Sequence, residues 1–495
     1  MLDFSSDRIL LPDLISDNAV FQADQPIRIW GYTDSTEDIH VLFQGENGQE
    51  VRRATGRADI YSHKFDIELL GLEAGAMTYT LLIETAGVAK EIKNIVFGDL
   101  WVLAGQSNME MQIAEIETPE IRNTFLEAEA GGTANQEEIR FFCNTRIEDS
   151  SFVHGDNLAG KWVIAEAENI LKFSAVGYPM LRTIWTRKHY PIGGILIAIG
   201  GSSIMSWIRG ASHFQSKILP LSHWNIKGIA WYQGESDNQS TSPANEHYDE
   251  ILMNMIGDYR KVWRQERLPF LIVQLPLSFW YADRLVNGPM LCNYEKIRMH
   301  QLTVYDKYKD QGVYLISTLD CGPNGKEKIS IHFDDKMQIG KRLGFAALDI
   351  DNTKKNPAMY TGARVTRISV QRMSPSDSAK SRSKECVTIT QSVLLQFTDV
   401  GDKGLSTLDG KKPTNFYVST AFGKCYPVSA DIVASDTICL HIPSVLEDWK
   451  EIHYQLELTD VYPFEQTLAS GVELFAKPGL VNSYGVPVMS FILKR

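Results

Sequence analysis

The chain has 495 residues, 44% of them hydrophobic and 22% charged, a composition typical of soluble globular proteins. Its length exceeds what one hydrophobic core usually organises, which predicts two or three domains. The formal net charge of −12 argues against a broad basic surface that would bind a phosphate backbone, and so against nucleic acid as a partner. A small anionic ligand remains compatible, because it needs only a local basic pocket.

The first residues of the chain lack the basic segment and apolar core of a secretory signal, and no apolar run is long enough to span a bilayer. We therefore expect a cytoplasmic protein with no membrane partner, or a secreted one if a leader has been removed. The cysteines are scattered and show neither Cys-x-x-Cys pairs nor zinc-ligand spacing, which predicts free thiols and no metal. They are Cys143, Cys292, Cys321, Cys386, Cys425 and Cys439.

Both ends of the chain have β character. Residues 1–95 predict a β-sandwich-like domain, because short alternating segments are separated by turns rich in Gly, Asn and Asp. Residues 356–495 predict a second β domain on the same grounds. The clearest alternating segments are 27–30, 40–44, 79–83, 365–370 and 392–397.

The middle of the chain, residues 96–355, alternates apolar strands with longer helical segments. This pattern predicts an α/β domain with a five-stranded parallel sheet and helices on both faces. The predicted strands are 101–104, 194–199, 229–232, 270–275 and 313–319, and the predicted helices are 174–189, 245–264, 293–307 and 334–349. Pro179 should begin or kink the first helix, and the segment from about 113 to 172 is predicted to be an insertion at a pocket rim.

Small and polar residues follow three of these strands. Ser107 comes after the first, Gly201 after the second and Gln233 after the third. Because the carboxyl ends of parallel strands meet at one edge of a sheet, these residues should converge there. A hydroxyl nucleophile with nearby N–H donors suits ester cleavage. The alternatives are a serine that caps the next helix, a glycine turn and a surface glutamine.

A general base is expected in the loop after the last strand. Among eleven histidines, His332 is the one that follows the fifth strand and precedes a predicted helix. The other histidines are expected on helices, in packing or at the surface.

Four motifs together carry a family resemblance. They are Gly-Gln-Ser-Asn-Met at 105–109, Gly-Gly-Ser-Ser at 200–203, Trp-Tyr-Gln-Gly-Glu-Ser at 231–236 and Ile-His at 331–332. With these motifs the chain resembles the sialate O-acetylesterase family of SGNH-type carbohydrate esterases. Segments 16–22 and 482–487 also match, so the resemblance spans nearly the whole chain. It implies a flavodoxin-like SGNH core between two β domains.

The resemblance also implies roles for individual residues. Ser107 would be the nucleophile and His332 the general base, with an oxyanion hole formed by the Ser107 N–H, Gly201 and Gln233. Glu235 would brace the loop behind Gln233, and its alternative is an ordinary solvated carboxylate.

One position departs from the family pattern. Ser330 stands where many relatives carry an Asp two residues before the histidine. The imidazole of His332 would then be oriented by a backbone carbonyl, by Ser330 or by Asp320 at the end of the fifth strand. A missing carboxylate does not forbid the chemistry, because orientation is only part of the triad's effect.

The residues predict an ester hydrolase without cofactor or metal, and the resemblance implies that it removes O-acetyl groups from sialic acids. The alternatives are an acetylesterase for xylan or mannan, and a carbohydrate-binding protein with an inactive core. Trp207 and Trp231 are candidates for sugar stacking, with a core role as their alternative. Asn108 is a further candidate substrate contact. Arg209 is the candidate cation for a sugar carboxylate, with an ordinary surface arginine as its alternative.

Overall fold

The computed structural model describes residue 4 and residues 8–130, 138–144, 156–166, 169–238, 242–276, 294–321, 331–372, 389–421, 425–455 and 479–495. The chain divides into two compact units. The first comprises Met1–Ser236, Asp249–Ile272 and Tyr308–Val313. The second comprises Asp237–Tyr248, Val273–Lys307 and Tyr314–Arg495.

The first unit begins with short strands that form parts of two sheets. They are β1 (Ile9–Leu10), β2 (Val20–Gln22), β3 (Ile27–Thr33), β4 (Ile39–Gln44), β5 (Glu50–Gly56), β6 (Lys64–Leu69) and β7 (Gly75–Thr85). Strands β1, β3 and β6 make one antiparallel sheet, whereas β4 pairs with both β5 and β7. The three alternating segments predicted here lie in β3, β4 and β7, so the β prediction is confirmed for them.

Strand β8 (Val88–Gly105) is 18 residues long and joins two parts of the sheet. Its first half pairs antiparallel with β7, and its side chains alternate between buried and exposed. From Ile95 onward every residue is buried, as expected for a strand covered on both faces. The predicted domain boundary between 95 and 96 falls inside this strand.

The sheet continues through the strands that carry the predicted α/β pattern. They are β9 (Ile139–Asn144), β10 (Gly160–Ile164), β11 (Ile192–Leu196), β12 (Gly228–Tyr232), β13 (Phe270–Val273) and β14 (Val313–Ile316). The order is β10-β9-β11-β8-β12-β13-β14. Strand β8 lies parallel to both β11 and β12, and β12 lies parallel to β13.

All five predicted strands form, but the sheet is larger than predicted and mixed in direction. Strand β9 adds a parallel neighbour to β11, and β10 adds an antiparallel edge. Both come from the segment 113–172, which was predicted as a rim insertion. A long hydrophobic run is absent there, so the pattern alone did not indicate two strands of the main sheet.

Helices alternate with these strands. They are α1 (Ser107–Glu110), α2 (Pro119–Ala130), α3 (Gly177–Lys188), α4 (Tyr248–Val262), α5 (Glu295–Tyr308) and α6 (Met337–Asp349). The four predicted helices are confirmed, with ends within three residues of those expected. Pro179 lies in the first turn of α3, where a missing N–H is tolerated. Within the described ranges, no helix is long and apolar enough to cross a membrane.

The second unit contains the C-terminal strands. They are β15 (Arg364–Arg372), β16 (Ile389–Thr398), β17 (Ser406–Thr407), β18 (Phe416–Ser419), β19 (Cys425–Pro427), β20 (Ser429–Ala434), β21 (Thr437–Pro443), β22 (Glu451–Tyr454), β23 (Leu480–Val481) and β24 (Phe491–Lys494). They form sheets in the orders β15-β16-β21-β20 and β19-β18-β22-β24, with β17 paired to β23. Val393, Leu440 and Trp449 are fully buried in their common core. The two strands predicted in this region are confirmed as β15 and β16.

Candidate active site

Ser107 lies at the first position of the four-residue helix α1, directly after β8. The helix N-cap is Gln106, which has extended backbone angles. The alternative that Ser107 caps the next helix is therefore wrong. Ser107 is half-buried, and both of its neighbours in the chain, Gln106 and Asn108, are buried.

The turn before Ser107 requires glycine. Gly105 has φ +136°, and a β-carbon there would lie 2.0 Å from the Tyr232 carbonyl oxygen. The next residue, Gln106, donates its backbone N–H to that same oxygen at 3.0 Å. The ends of β8 and β12 thus approach so closely that only a residue without a side chain fits.

The two glycines after β11 lie beside the serine. The Ile199 N–H donates to the Gly105 carbonyl at 3.0 Å, which brings this loop alongside the end of β8. A β-carbon on Gly200 would be 3.6 Å from Ser107 Cβ. Gly201 has φ +70°, a β-carbon on it would meet nothing within 4 Å, and its N–H makes no hydrogen bond within the described part of the chain. This geometry suits a backbone donor for an oxyanion.

Gln233 differs from its predicted role. It is fully buried, and its amide nitrogen donates to the Ser202 carbonyl at 3.0 Å and to Gln106 Oε1 at 3.2 Å. A carbonyl can only accept, so the atom that faces Ser202 is the amide nitrogen. Both N–H bonds are therefore committed to the protein. The expectation of a ready oxyanion donor is corrected: one of these bonds would have to be released first.

Gln106 is a site residue that the sequence reasoning missed. Besides the Gln233 amide, its Oε1 accepts the backbone N–H groups of Gly234 at 3.4 Å and Ser236 at 3.3 Å. One buried side chain thus holds the loop after β12 against the residue preceding the nucleophile. Its place next to Ser107 in the first motif was the one available signal.

Asn108 and Glu235 form a second link between these loops. Asn108 Nδ2 donates to Glu235 Oε1 at 2.6 Å, and the two residues are 1% and 5% exposed. The alternative of a solvated Glu235 is therefore wrong, and its predicted bracing position is consistent with this bond. The prediction of Asn108 as a substrate contact is corrected, because its side chain is buried against Glu235.

The predicted sugar-stacking tryptophans are also corrected. Trp207 and Trp231 are both fully buried and pack edge to face at 5.5 Å. Trp207 Nε1 donates to Ser202 Oγ at 3.0 Å, so this pair supports the glycine loop from beneath. Arg209 is exposed and lines a surface groove with Phe214, Asp258, Lys261 and other residues. None of Ser107, Gly201 and Gln233 lines that groove.

The remaining predicted residues belong to the second unit. His332 is exposed in the loop that precedes α6. Asp320 accepts two bonds from the buried Arg342 guanidinium, at 2.7 Å on Oδ1 and 2.6 Å on Oδ2. A carboxylate can accept more than two hydrogen bonds, so this pairing does not test whether Asp320 orients His332, which stays a prediction. Ser330 lies outside the described residues.

Burial raises the pKa of several of the described cysteine thiols. Cys143, Cys321 and Cys439 are free thiols. Burial raises the pKa of Cys143 to about 11, and it raises the pKa of Cys321 well above its usual value. Within the described residues, no group of three or more His, Cys, Asp and Glu side chains is arranged to hold a metal ion.

Comparisons with known proteins place the chain in a family. The family model described as "Carbohydrate esterase, sialic acid-specific acetylesterase" matches residues 97–349, just over half of the chain. Human sialate O-acetylesterase is 26% identical over 377 residues, which cover 66% of this chain and 68% of that protein. The rat enzyme of the same name is 22% identical over 399 residues, which cover 66% of this chain and 70% of the rat protein.

Solved structures agree on the fold. The crystal structure of a carbohydrate acetylesterase from Xanthomonas citri matches with a TM-score of 0.76 at 24% identity, covering 98% of this chain and 99% of that one. The likeness extends over the α/β part and the additional β-sheet parts alike. The chain belongs to the carbohydrate esterase family of sialic acid-specific acetylesterases.

Proposed function

We propose that this carbohydrate O-acetylesterase works through a covalent acetyl-enzyme formed on Ser107. The observation that carries the proposal is the position of Ser107 on a tight turn at the end of β8, with Gly200 beside its Cβ. A serine held at the end of a buried strand, next to a loop with an uncommitted N–H, suits attack on an ester carbonyl.

The proposed reaction has two halves. Ser107 Oγ attacks the acetyl carbonyl and gives its proton to His332; when the tetrahedral intermediate collapses, the sugar oxygen leaves with that proton. Water then attacks the acetyl-serine, His332 again accepts and returns a proton, and acetate leaves with Ser107 regenerated. The exposed position of His332 before α6 is compatible with this role.

The proposed oxyanion donors are the backbone N–H groups of Ser107 and Gly201. Gly201 supports this proposal because its N–H has no acceptor among the described residues. Gln233 can join them only if it releases Ser202 or Gln106. Its resting role is to hold the two loops in register.

We infer further that β11, β8, β12, β13 and β14 are the SGNH-type core of this enzyme, extended by β9 and β10. The parallel pairings of β8 with its two neighbours support this inference. The division into domains at 1–95, 96–355 and 356–495 stays a prediction, as does the cytoplasmic location.

The proposed substrate is an O-acetylated sialic acid, in line with the names of the mammalian relatives. Acetate release from O-acetylated sialic acid should then greatly exceed release from acetylxylan or acetylmannan at equal ester concentration. The reverse order would favour the polysaccharide alternative, with the same serine chemistry.

The test of the mechanism is Ser107→Ala assayed on a chromogenic acetate ester. Loss of the nucleophile should lower kcat by a factor on the order of 10⁶. Ser203→Ala is the control, because this serine lies in the loop after β11 and its Oγ accepts the Met205 N–H. Turnover by Ser107→Ala within about tenfold of the parent would contradict the proposal. A parent protein that released no acetate would also contradict it and would favour the inactive carbohydrate-binding alternative.

A further inference from the structure

Glu110 contacts the loop beside the nucleophile. It is the last residue of α1, and its Oε2 accepts the Gly200 N–H at 2.7 Å. A β-carbon on Gly200 would lie 3.1 Å from this oxygen and 3.6 Å from Ser107 Cβ. One exposed carboxylate therefore ties the helix that carries Ser107 to the glycine loop next to it. A short bond to an ionised acceptor is stronger than a neutral one.

This bond distinguishes the two glycine N–H groups of the loop. The Gly200 N–H is committed to Glu110, so it does not serve an oxyanion. The following N–H, that of Gly201, has no acceptor among the described residues, and φ +70° at Gly201 turns the chain sharply there. Fixing the peptide before Gly200 limits how far the next peptide can rotate, which keeps the Gly201 N–H preorganised.

We propose that Glu110 is a positioning residue for the esterase reaction: its bond to Gly200 aims the Gly201 N–H at the oxyanion. The inference rests on the proposed function of Ser107. Glu110 itself touches neither the acetyl group nor the transferred proton.

The experiment compares Glu110→Ala and Glu110→Gln, with Glu120→Ala as a control at an exposed glutamate of α2. Glu110→Ala should lower kcat on a chromogenic acetate by about 10- to 100-fold with KM nearly unchanged, since it loosens one oxyanion donor without removing it. Glu110→Gln keeps an acceptor oxygen for the Gly200 N–H and should recover most of that loss. Glu120→Ala should match the parent.

These outcomes distinguish the positioning role of Glu110 from the proposed function of Ser107. Parent-like kcat in Glu110→Ala, or an effect confined to KM, would overturn the positioning role while an inactive Ser107→Ala left the proposed function standing. Loss of activity in Glu110→Gln equal to that in Glu110→Ala would overturn it as well. Substantial turnover by Ser107→Ala would overturn both.

Discussion

Asn108 Nδ2 donates a hydrogen bond of 2.6 Å to Glu235 Oε1, and both side chains are buried. The bond joins the residue after the nucleophile to the loop that follows β12. With the Gln106 carboxamide on the other side of Ser107, it makes the nucleophile turn and the third-strand loop one connected unit. A buried carboxylate also needs such donors, since an unpaired charge there is costly.

Asn108→Asp should make stability depend on pH. The new carboxyl would face Glu235 at close range, and two carboxylates there cannot both ionise. One holds its proton in the folded state, so its folded pKa lies above the unfolded value near 4 and the variant loses stability as pH rises.

Between that unfolded value and the raised folded pKa, the slope relative to the parent should be about 1.4 kcal/mol per pH unit. Urea unfolding between pH 5 and pH 8 measures it. Asn108→Ala is the comparison: loss of the donor also raises the Glu235 pKa, but by less than a facing carboxyl does, so its loss of stability should end at a lower pH. A flat difference for Asn108→Asp would show that the two groups do not face each other.

Gly105→Ala should destabilise the protein by at least about 3 kcal/mol, because its β-carbon meets a backbone carbonyl and its φ is unfavourable. Gly257 in α4 is the matched control, since a β-carbon there meets nothing within 4 Å. Gly257→Ala should gain up to about 1 kcal/mol from helix propensity. Thermal unfolding compares the two, and a Gly105→Ala variant as stable as the parent would contradict the close approach of β8 and β12.

Asp320→Asn should destabilise the fold by about 2–4 kcal/mol, because it leaves the Arg342 guanidinium, 1% exposed, without its carboxylate. The acid midpoint of the kcat/KM profile should stay where it is, since Asp320 pairs with Arg342. Removing a carboxylate that bonded the imidazole would instead lower the midpoint, because the imidazolium loses its counter-charge. A lowered midpoint would show that Asp320 orients His332.

Cys143 should resist alkylation at neutral pH. With its pKa raised to about 11 by burial, about 0.1% of it is thiolate at pH 8, so iodoacetamide should react far more slowly than with a free thiol. The rate should rise about tenfold per pH unit between pH 8 and pH 10. Peptide-level mass spectrometry measures this, with glutathione as the reference thiol. Fast labelling of Cys143 at pH 8 would contradict the burial.

The local sequence pattern was enough to predict much of the fold. The strand that delivers Ser107 ends in an apolar run, residues 100–105, that closes with glycine, and four helices follow ordinary periodicity. Strands β9 and β10 could not be predicted, because β9 is six residues long and its burial depends on pairing with the distant β11. Long-range pairing of that kind leaves no local trace.

The sequence predicted several residues of the candidate site but not the hydrogen bonds between them. Ser107, the glycine loop and Gln233 do follow three neighbouring strands. The Gln233 amide nitrogen donates to Ser202 and Gln106, and these two bonds depend on how the loops pack in the folded protein. The pairing of Asp320 with Arg342 joins residues 22 positions apart. The helix that carries Arg342 was predicted, but its packing against the end of β14 was not. Glu110 gave no signal, because an exposed glutamate is common at the end of a helix.

Covalent labelling tests the central claim most directly. The parent protein is treated with an organophosphonate, digested and examined by mass spectrometry, with Ser107→Ala treated alongside. We predict one phosphonyl adduct, on the peptide that contains Ser107, formed as esterase activity is lost and not formed in Ser107→Ala. Complete loss of activity with the adduct on another residue, or equal labelling of Ser107→Ala, would contradict the account.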